Sequence, residues 1–361
     1  MINGERRRPT VTDVAREAGV SVATAGRVLG DYGNVKPELS EAVRAAAERL
    51  DYSANVAARS VRSGRTRSVG FVGADISNPF FAAAMRGVCD VARDEGYEPI
   101  LINSDDSSEV ERNAVRLLLA KQIEGIVVSP TSISDVAHLT QAQDLGVPVV
   151  LLDRHSPALN ADSVVVDNEA AAHQAVTHLL ELGHRDIGLV AMTDPFEGPQ
   201  LRHDPKSGQV QVHGPARPAV DRIRGYVTAI QDAGLQIRHD LLGNSPTQVG
   251  LTEQGEADRM LSLPQRATAL FAADNFTTQN AFIAARRLGL DIPADVSLVG
   301  FDDLDWTVLV DPPITVVAQS PIDMGRRAAE LLFHRIKGDH GPAQRIVLPT
   351  RLLMRRSTRQ L

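Results

Sequence analysis

Carboxylates and a guanidinium close several apolar runs in this chain. Asp153 and Arg154 follow "PVVLL", and Asp302 follows "VSLVGF". A third run, "SVGFVG", leads into "DISNPFF" and its Asn78. Such groups, held in a dry cleft, accept and donate hydrogen bonds in fixed directions. That chemistry suits sugar hydroxyls, with aromatic faces covering the apolar side of the ring. A plainer reading stands beside it: Asp153 and Asp302 as helix caps, and Arg154 as partner to a surface carboxylate.

Catalytic patterns are missing. No GxGxxG follows the first run, and the chain has no GxSxG, Walker loop or HExxH. The histidines are scattered. Cys89 is the only cysteine, which excludes an intrachain disulfide and a cysteine-rich zinc site. It lies in an amphipathic stretch and reads as core packing. The expectation is a binding protein without enzymatic activity, cofactor or metal.

A second chemistry sits near the start. "SVATAGRVLG", residues 21–30, opens on Ser21 as an N-cap and carries Arg27 one turn on. Its Gly26 costs a helix about 1 kcal/mol relative to alanine. "TVTDVAREAG" precedes it as a helix capped by Thr10, and "KPELSEAVRAAAERLDY" follows with a stripe of Leu39, Val43, Ala46, Ala47 and Leu50. Two short helices separated by "GV" predict a helix-turn-helix. There the second helix enters the major groove and its leading residues, Ser21, Val22, Ala23 and Thr24, reach base edges. Arginine pairs with guanine, and small apolar side chains touch thymine methyls. The rival is a three-helix bundle with an exposed arginine. Charge leans toward a polyanion at this end only: residues 1–66 hold 11 Lys+Arg and 8 Asp+Glu (+3), leaving −10 for the rest of a chain whose net charge is −7.

These residues need a scaffold. A length of 361 residues suggests two or three domains. Beyond residue 67, apolar runs such as "EPILIN", "GIVVSP", "DIGLVA", "TALFAAD" and "TVVAQ" alternate with amphipathic stretches. That alternation predicts doubly wound parallel sheets, enough for two lobes, with ligand at the strand carboxyl ends. Residues 195–220 carry five prolines and few apolar side chains, and read as a long loop with a small hairpin at "GQVQVHG". The basic, polar N-terminus does not read as a signal peptide, and no apolar run approaches a membrane span, so a cytoplasmic location is expected.

"TVTDVAREAGVSVATAGRVL", "NVAARSVRSGRTRSVGF" and "DISNPFFAAAMRGV" together resemble the lactose-repressor (LacI/GalR) family of bacterial transcription regulators. The resemblance runs from about Thr10 to about Arg355. It implies an α/β fold: a two-lobed, periplasmic-binding-protein-like body of doubly wound parallel sheets, preceded by a small all-α helix-turn-helix head. The implied domains are a head at 1–54, a hinge helix at 55–66 and a body at 67–361. Lobe one would hold about 67–166 and 320–346, and lobe two about 167–318 and 347–361.

The implied function is a repressor controlled by a small molecule between the lobes. The alternative is a cytoplasmic sugar-binding protein or sugar-processing enzyme without regulatory DNA binding. Implied partners are double-stranded operator DNA, a monosaccharide or derivative, and a second copy of the chain; no membrane is implied. Asn34, Asn55, Arg59 and Arg62 would join the DNA contacts, and Val61 would stand as a minor-groove wedge where the family usually has leucine. The effector set would be Asn78, Phe80, Phe81, Asp153 and Arg154 on one lobe, Arg222, Asp274, Asn275 and Asp302 on the other, and Gln319 at the crossover. Departures are the order "DN" at Asp274 and Asn275, Gly250 where an aromatic would stack on the ligand, and the 195–220 insertion. No leucine heptads end the chain, which favours a dimer over a tetramer.

Overall fold

The computed structural model describes residues 9–30, 33–52, 65–192, 200–203, 210–214, 217–245 and 254–361, and forms two compact units, Met1–Arg67 and Ser68–Leu361. In the first unit, α1 (Val11–Glu17), α2 (Val22–Leu29) and α3 (Pro37–Arg49) pack around Val14, Ala15, Ala25, Val28, Val43, Ala46 and Ala47. A capping box fixes the start of α1: Thr10 Oγ1 accepts from the Asp13 amide while Asp13 accepts from the Thr10 amide. Gly19, at φ +67°, turns the chain in the left-handed region that favours glycine, and Ser21 caps α2. Leu39 does not join the stripe expected of it; it is 38% exposed.

The second unit holds two six-stranded sheets of one design. The first contains β1 (Ser68–Gly73), β2 (Glu98–Asn103), β3 (Ile126–Val128), β4 (Val149–Leu152) and β5 (Asp162–Val166). Around them lie α4 (Pro79–Asp94), α5 (Ser108–Ala120) and α6 (Ala137–Asp144). The chain then crosses over. It builds α7 (Asn168–Glu181), β6 (Ile187–Met192), a hairpin of β7 (Gln200–His203) and β8 (Val210–His213), and α8 (Pro218–Asp232). There follow β9 (Leu242–Ser245), α9 (Glu256–Leu261), β10 (Ala269–Ala272), α10 (Asn275–Arg287), β11 (Ser297–Phe301), α11 (Asp305–Leu309) and β12 (Thr315–Ala318). It crosses back for α12 (Pro321–Ile336) and β13 (Arg345–Leu348), then crosses once more for β14 (Arg351–Leu353). The sheet orders are β13-β5-β4-β3-β1-β2 and β14-β12-β11-β10-β6-β9. All pairings in both sheets are parallel except β12 with β14.

The central strands are runs of Val, Ile, Leu and Phe buried on both faces, as parallel strands under helices must be. Each crossover helix, α7 into lobe two and α12 into lobe one, packs against one helix of the lobe it enters, α8 and α4 respectively. A Cβ at Gly325 of α12 would stand 1.8 Å from the Ala84 carbonyl oxygen of α4, and one at Gly225 of α8 would stand 2.2 Å from the Glu169 oxygen of α7. Only glycine permits those crossings.

Two expectations are corrected. Cys89, on α4, is partly exposed and lies outside the buried core clusters. The "GQVQVHG" stretch supplies only one strand, β8; its antiparallel partner is the upstream "QLRH". The described part of that insertion packs: Leu201, Val210 and Val212 lie on the lobe-two core.

Candidate functional site

Asp153 and Asp302 occupy matching positions in the two lobes. Each ends the fourth strand of its lobe, each has a left-handed backbone (φ +67° and +74°), and each donates its amide to the fifth strand, at Val164 and Val317 respectively. The left-handed region costs a residue with a Cβ roughly 1–2 kcal/mol, with Asp among the residues that tolerate it best. Neither aspartate is a helix cap, so that reading is overturned. The caps are Asn78, which accepts from the Phe80 amide at 3.1 Å, and Asp274, which accepts from the Thr277 amide at 2.8 Å.

Arg222, in the first turns of α8, organises the lobe-two face. It is 6% exposed and donates from Nε to Asn168 Oδ1 at 2.8 Å and from Nη1 to the Ala273 carbonyl at 2.6 Å. Its guanidinium carbon lies 3.5 Å from the Phe301 ring centre, a stacked cation–π contact. Its charge acts on Asp302 and Asp274 of its own lobe and on Asp153 of the other. Gln319, just past β12, donates to Asp302 Oδ1 at 2.5 Å, and its own Oε1 is buried without a hydrogen-bond partner.

Burial dominates the electrostatics. It raises Asp153 to about 6, against the opposing charges of Arg154 and Arg222 and with the Asp302 and Asp106 charges adding to the rise. Burial likewise raises Asp274 and Asp302. Desolvation disfavours the charged carboxylate, so these groups hold protons more readily than free aspartate.

Arg154 has a carboxylate partner. It grips Asp106 through Nη1 and Nη2 (2.6 and 3.2 Å) and donates to the Pro130 carbonyl at 3.0 Å, while its Nε is buried without a partner. Phe80 and Phe81 meet edge to face at 5.1 Å inside the lobe-one core. Asn275 is spent within lobe two: its Oδ1 accepts from Trp306 Nε1 at 2.8 Å and from Gln279 at 3.0 Å. Charge links these candidates more than direct bonds do: Arg222 acts on Asp153, Asp274 and Asp302, Arg154 acts on Asp153, and Gln319 bonds Asp302. Reading by sequence missed Asn168, Phe301 and Asp106. "VVVDN" and "VGFDD" carried a usable signal, a polar residue or aromatic at the end of an apolar run; Asp106, in a polar turn, carried none.

In the head, Ser21 Oγ accepts from the Thr24 amide at 3.1 Å, and the two hydroxyls lie 2.9 Å apart. Val22, Ala23, Arg27 and Asn34 are exposed, with Val22 49% accessible. Arg27 Nε leans back on the Ala23 carbonyl at 3.4 Å. The leading end of α2 therefore offers a small apolar side chain, two hydroxyls and a guanidinium to solvent. Asn55, Arg59, Val61, Arg62 and Gly250 lie outside the described residues.

Residues 10–55 match the bacterial regulatory proteins of the lacI family, and residues 176–358 match the periplasmic binding protein-like domain. Catabolite control protein A of Priestia megaterium is 32% identical over 97% of this chain and 99% of its own length. The chain belongs to the lacI family. Other lacI-family relatives include the transcriptional regulator PtxS of Pseudomonas putida, 34% identical over 98% of this chain and 97% of its own. A solved complex of the regulator CelR with cellobiose is 28% identical, covers 97% of this chain and all of that one, and superposes with a TM-score of 0.67. The lac repressor dimer on operator, 24% identical with a TM-score of 0.80 over 98% of this chain and all of that one, shares the fold. As a lacI-family member this protein is a DNA-binding transcriptional regulator with an effector-binding body. Among the described residues, no helix is long and apolar enough to cross a membrane, and no cluster of His, Cys, Asp and Glu is arranged to hold a metal.

Proposed function

We propose that this regulator is a homodimeric repressor, with a head at 1–54 and a hinge helix at 55–66, whose grip on a near-palindromic operator is set by a sugar or sugar derivative held between its lobes. The observation that carries the reading is a set of polar groups, buried or half-buried, at the strand ends of both lobes, Asp153 on one and Arg222, Asp274 and Asp302 on the other, with the Arg222 and Asp302 charges reaching Asp153. A ligand bonded to both sides has different contacts in open and closed arrangements, which is what a shift of population requires. Acceptors in fixed directions beside a stacked guanidinium suit a polyhydroxylated ring better than a flat purine. The cellobiose held by CelR, and the ribose held by a related regulator of Enterococcus faecium, point to the same class.

Two-fold symmetry in the protein calls for two-fold symmetry in the DNA, with half-sites about one helical turn apart. The test is a mobility shift of the full chain on DNA selected from random sequence, repeated across a panel of monosaccharides. Asp302→Ala should bind operator like the parent protein without sugar and lose the response to sugar. Selected sites without an inverted repeat, or an Asp302→Ala protein that responds normally, overturn the proposal.

A further inference from the structure

The residue just before α8, Arg217, reaches from lobe two to lobe one. Its Nη2 donates to the backbone carbonyl of Thr131, in the loop after β3, and its charge helps hold the Asp106 carboxyl below its ordinary range. Burial alone would raise Asp106; the charge and hydrogen bonds of Arg154, with Arg217 added, outweigh it. The bonds of Arg222 described above stay within its own lobe, whereas Arg217 bonds directly across the divide.

The receiving side is built to stay in place. Glu111 is 1% exposed, and its Oε2 accepts from both the amide and the hydroxyl of Thr131, at 2.6 and 2.7 Å. Its Oε1 lies 2.7 Å from His138 Nε2. The neighbouring carbonyl, that of Pro130, takes Arg154. Two successive carbonyls of one pinned loop thus receive one arginine from each lobe.

The donating side is fastened as well. Arg224 of α8 donates from Nη2 to the Gly214 carbonyl at 2.7 Å, Gln231 exchanges two hydrogen bonds with the backbone of Val210 (2.8 and 3.1 Å), and Leu201, Val210 and Val212 lie on the lobe-two core. The β7–β8 pair is therefore clamped along α8, the helix whose start carries Arg217 to the opposite lobe.

We propose that Arg217 is a clasp, a positioning residue at the start of α8 that biases the lobes toward the closed arrangement before any effector binds. The proposal rests on the functional reading above only where lobe arrangement is taken to govern operator affinity. A preset closed population changes the apparent affinity for any ligand that prefers one arrangement.

The experiment measures the lobes directly. Spin labels are placed at Gln141→Cys on α6 and Ala233→Cys after α8, in a full-length Cys89→Ser background, and distance distributions are recorded by pulsed dipolar spectroscopy without ligand. Removing a hydrogen bond from a charged donor should shift the closed-to-open ratio about tenfold. Arg217→Ala should therefore move population to longer distances, and Arg217→Lys should keep part of the closed peak. Arg224→Ala, which loosens the hairpin but leaves Arg217 in place, should fall between. A superimposable Arg217→Ala distribution, in a protein that melts like its parent, overturns the clasp. Changed distances with unchanged operator affinity leave the clasp standing and overturn the coupling of lobes to DNA.

Discussion

The two lobes are near copies in backbone and unlike in how they spend their charges. Both run their strands in one order, both end the fourth strand on a left-handed aspartate, and both dock a crossover helix through glycine. Lobe one ties Arg154 to Asp106 and Glu111 to His138 and Thr131, with Asp153 the exception, a buried carboxylate raised to about 6. Lobe two instead holds one stacked arginine, Arg222, against a carbonyl and an amide, with carboxylates around it that burial has raised. A pre-paired face is a frame; a face with under-compensated acceptors is a reader. Symmetry of fold therefore does not imply symmetry of role.

The largest test removes the centre of the reading face. Arg222→Met leaves Asp302, Asp274 and Asp153 without their shared cation, and breaking a buried charge network of this kind costs about 3–5 kcal/mol. Urea unfolding of the variant should show that loss. Arg154→Met, whose partner Asp106 is 43% exposed, should cost clearly less. Equal losses would make the lobes energetically alike.

Next come the crossings, where the lobes should match. Gly325→Ala and Gly225→Ala each push a Cβ into backbone that cannot step aside, and each should cost on the order of 3 kcal/mol. Denaturation midpoints that fall by different amounts would locate a real difference in rigidity.

Asp153→Asn tests the frame from the other direction. Its folded pKa, about 6, lies above the unfolded value for aspartate. The native state therefore binds more protons between about pH 4 and pH 6, and this group's contribution to stability falls as pH rises through that window. At pH 7 the neutral, near-isosteric amide should be more stable than the parent by about 1–3 kcal/mol, and the acid-side slope should shrink. A parent protein whose stability does not fall between pH 4 and 6 relative to Asp153→Asn would place the carboxylate in a wetter site.

The smallest effect concerns the caps. Asn78→Ala removes a single bond at the start of α4 and should cost about 1 kcal/mol. Asp274→Ala breaks a capping box and should cost somewhat more, read by the same thermal melts.

Much of this was legible in the chain. Apolar runs marked the central strands, because strands buried on both faces have no polar side to hide them. The aspartates that close those runs were visible for the same reason. β13 and β14 were not, since "RIVL" and "RLL" are only three and two apolar residues behind an arginine, too short to stand out, and both lie at sheet edges. Arg217 and Asp106 could not be read either: they meet only through the fold, more than a hundred residues apart in sequence. Phe80 and Phe81 were legible as apolar but not by role, because an aromatic beside a strand end suits a core as well as a ligand.

The crossings also set an order of events at the ribosome. Lobe one lacks α12 until residue 336 has been made, and with it Met324, Ala328, Ala329, Leu332 and Phe333 of its core. At roughly 5–20 residues per second, synthesis from the end of β5 to the start of α12 takes about 8–30 s. Through that interval a five-stranded sheet waits with one flank uncovered, while lobe two is assembled from residues made later. Of the two lobes, the one encoded first waits longest for its core, and holdase chaperones have their longest opportunity there.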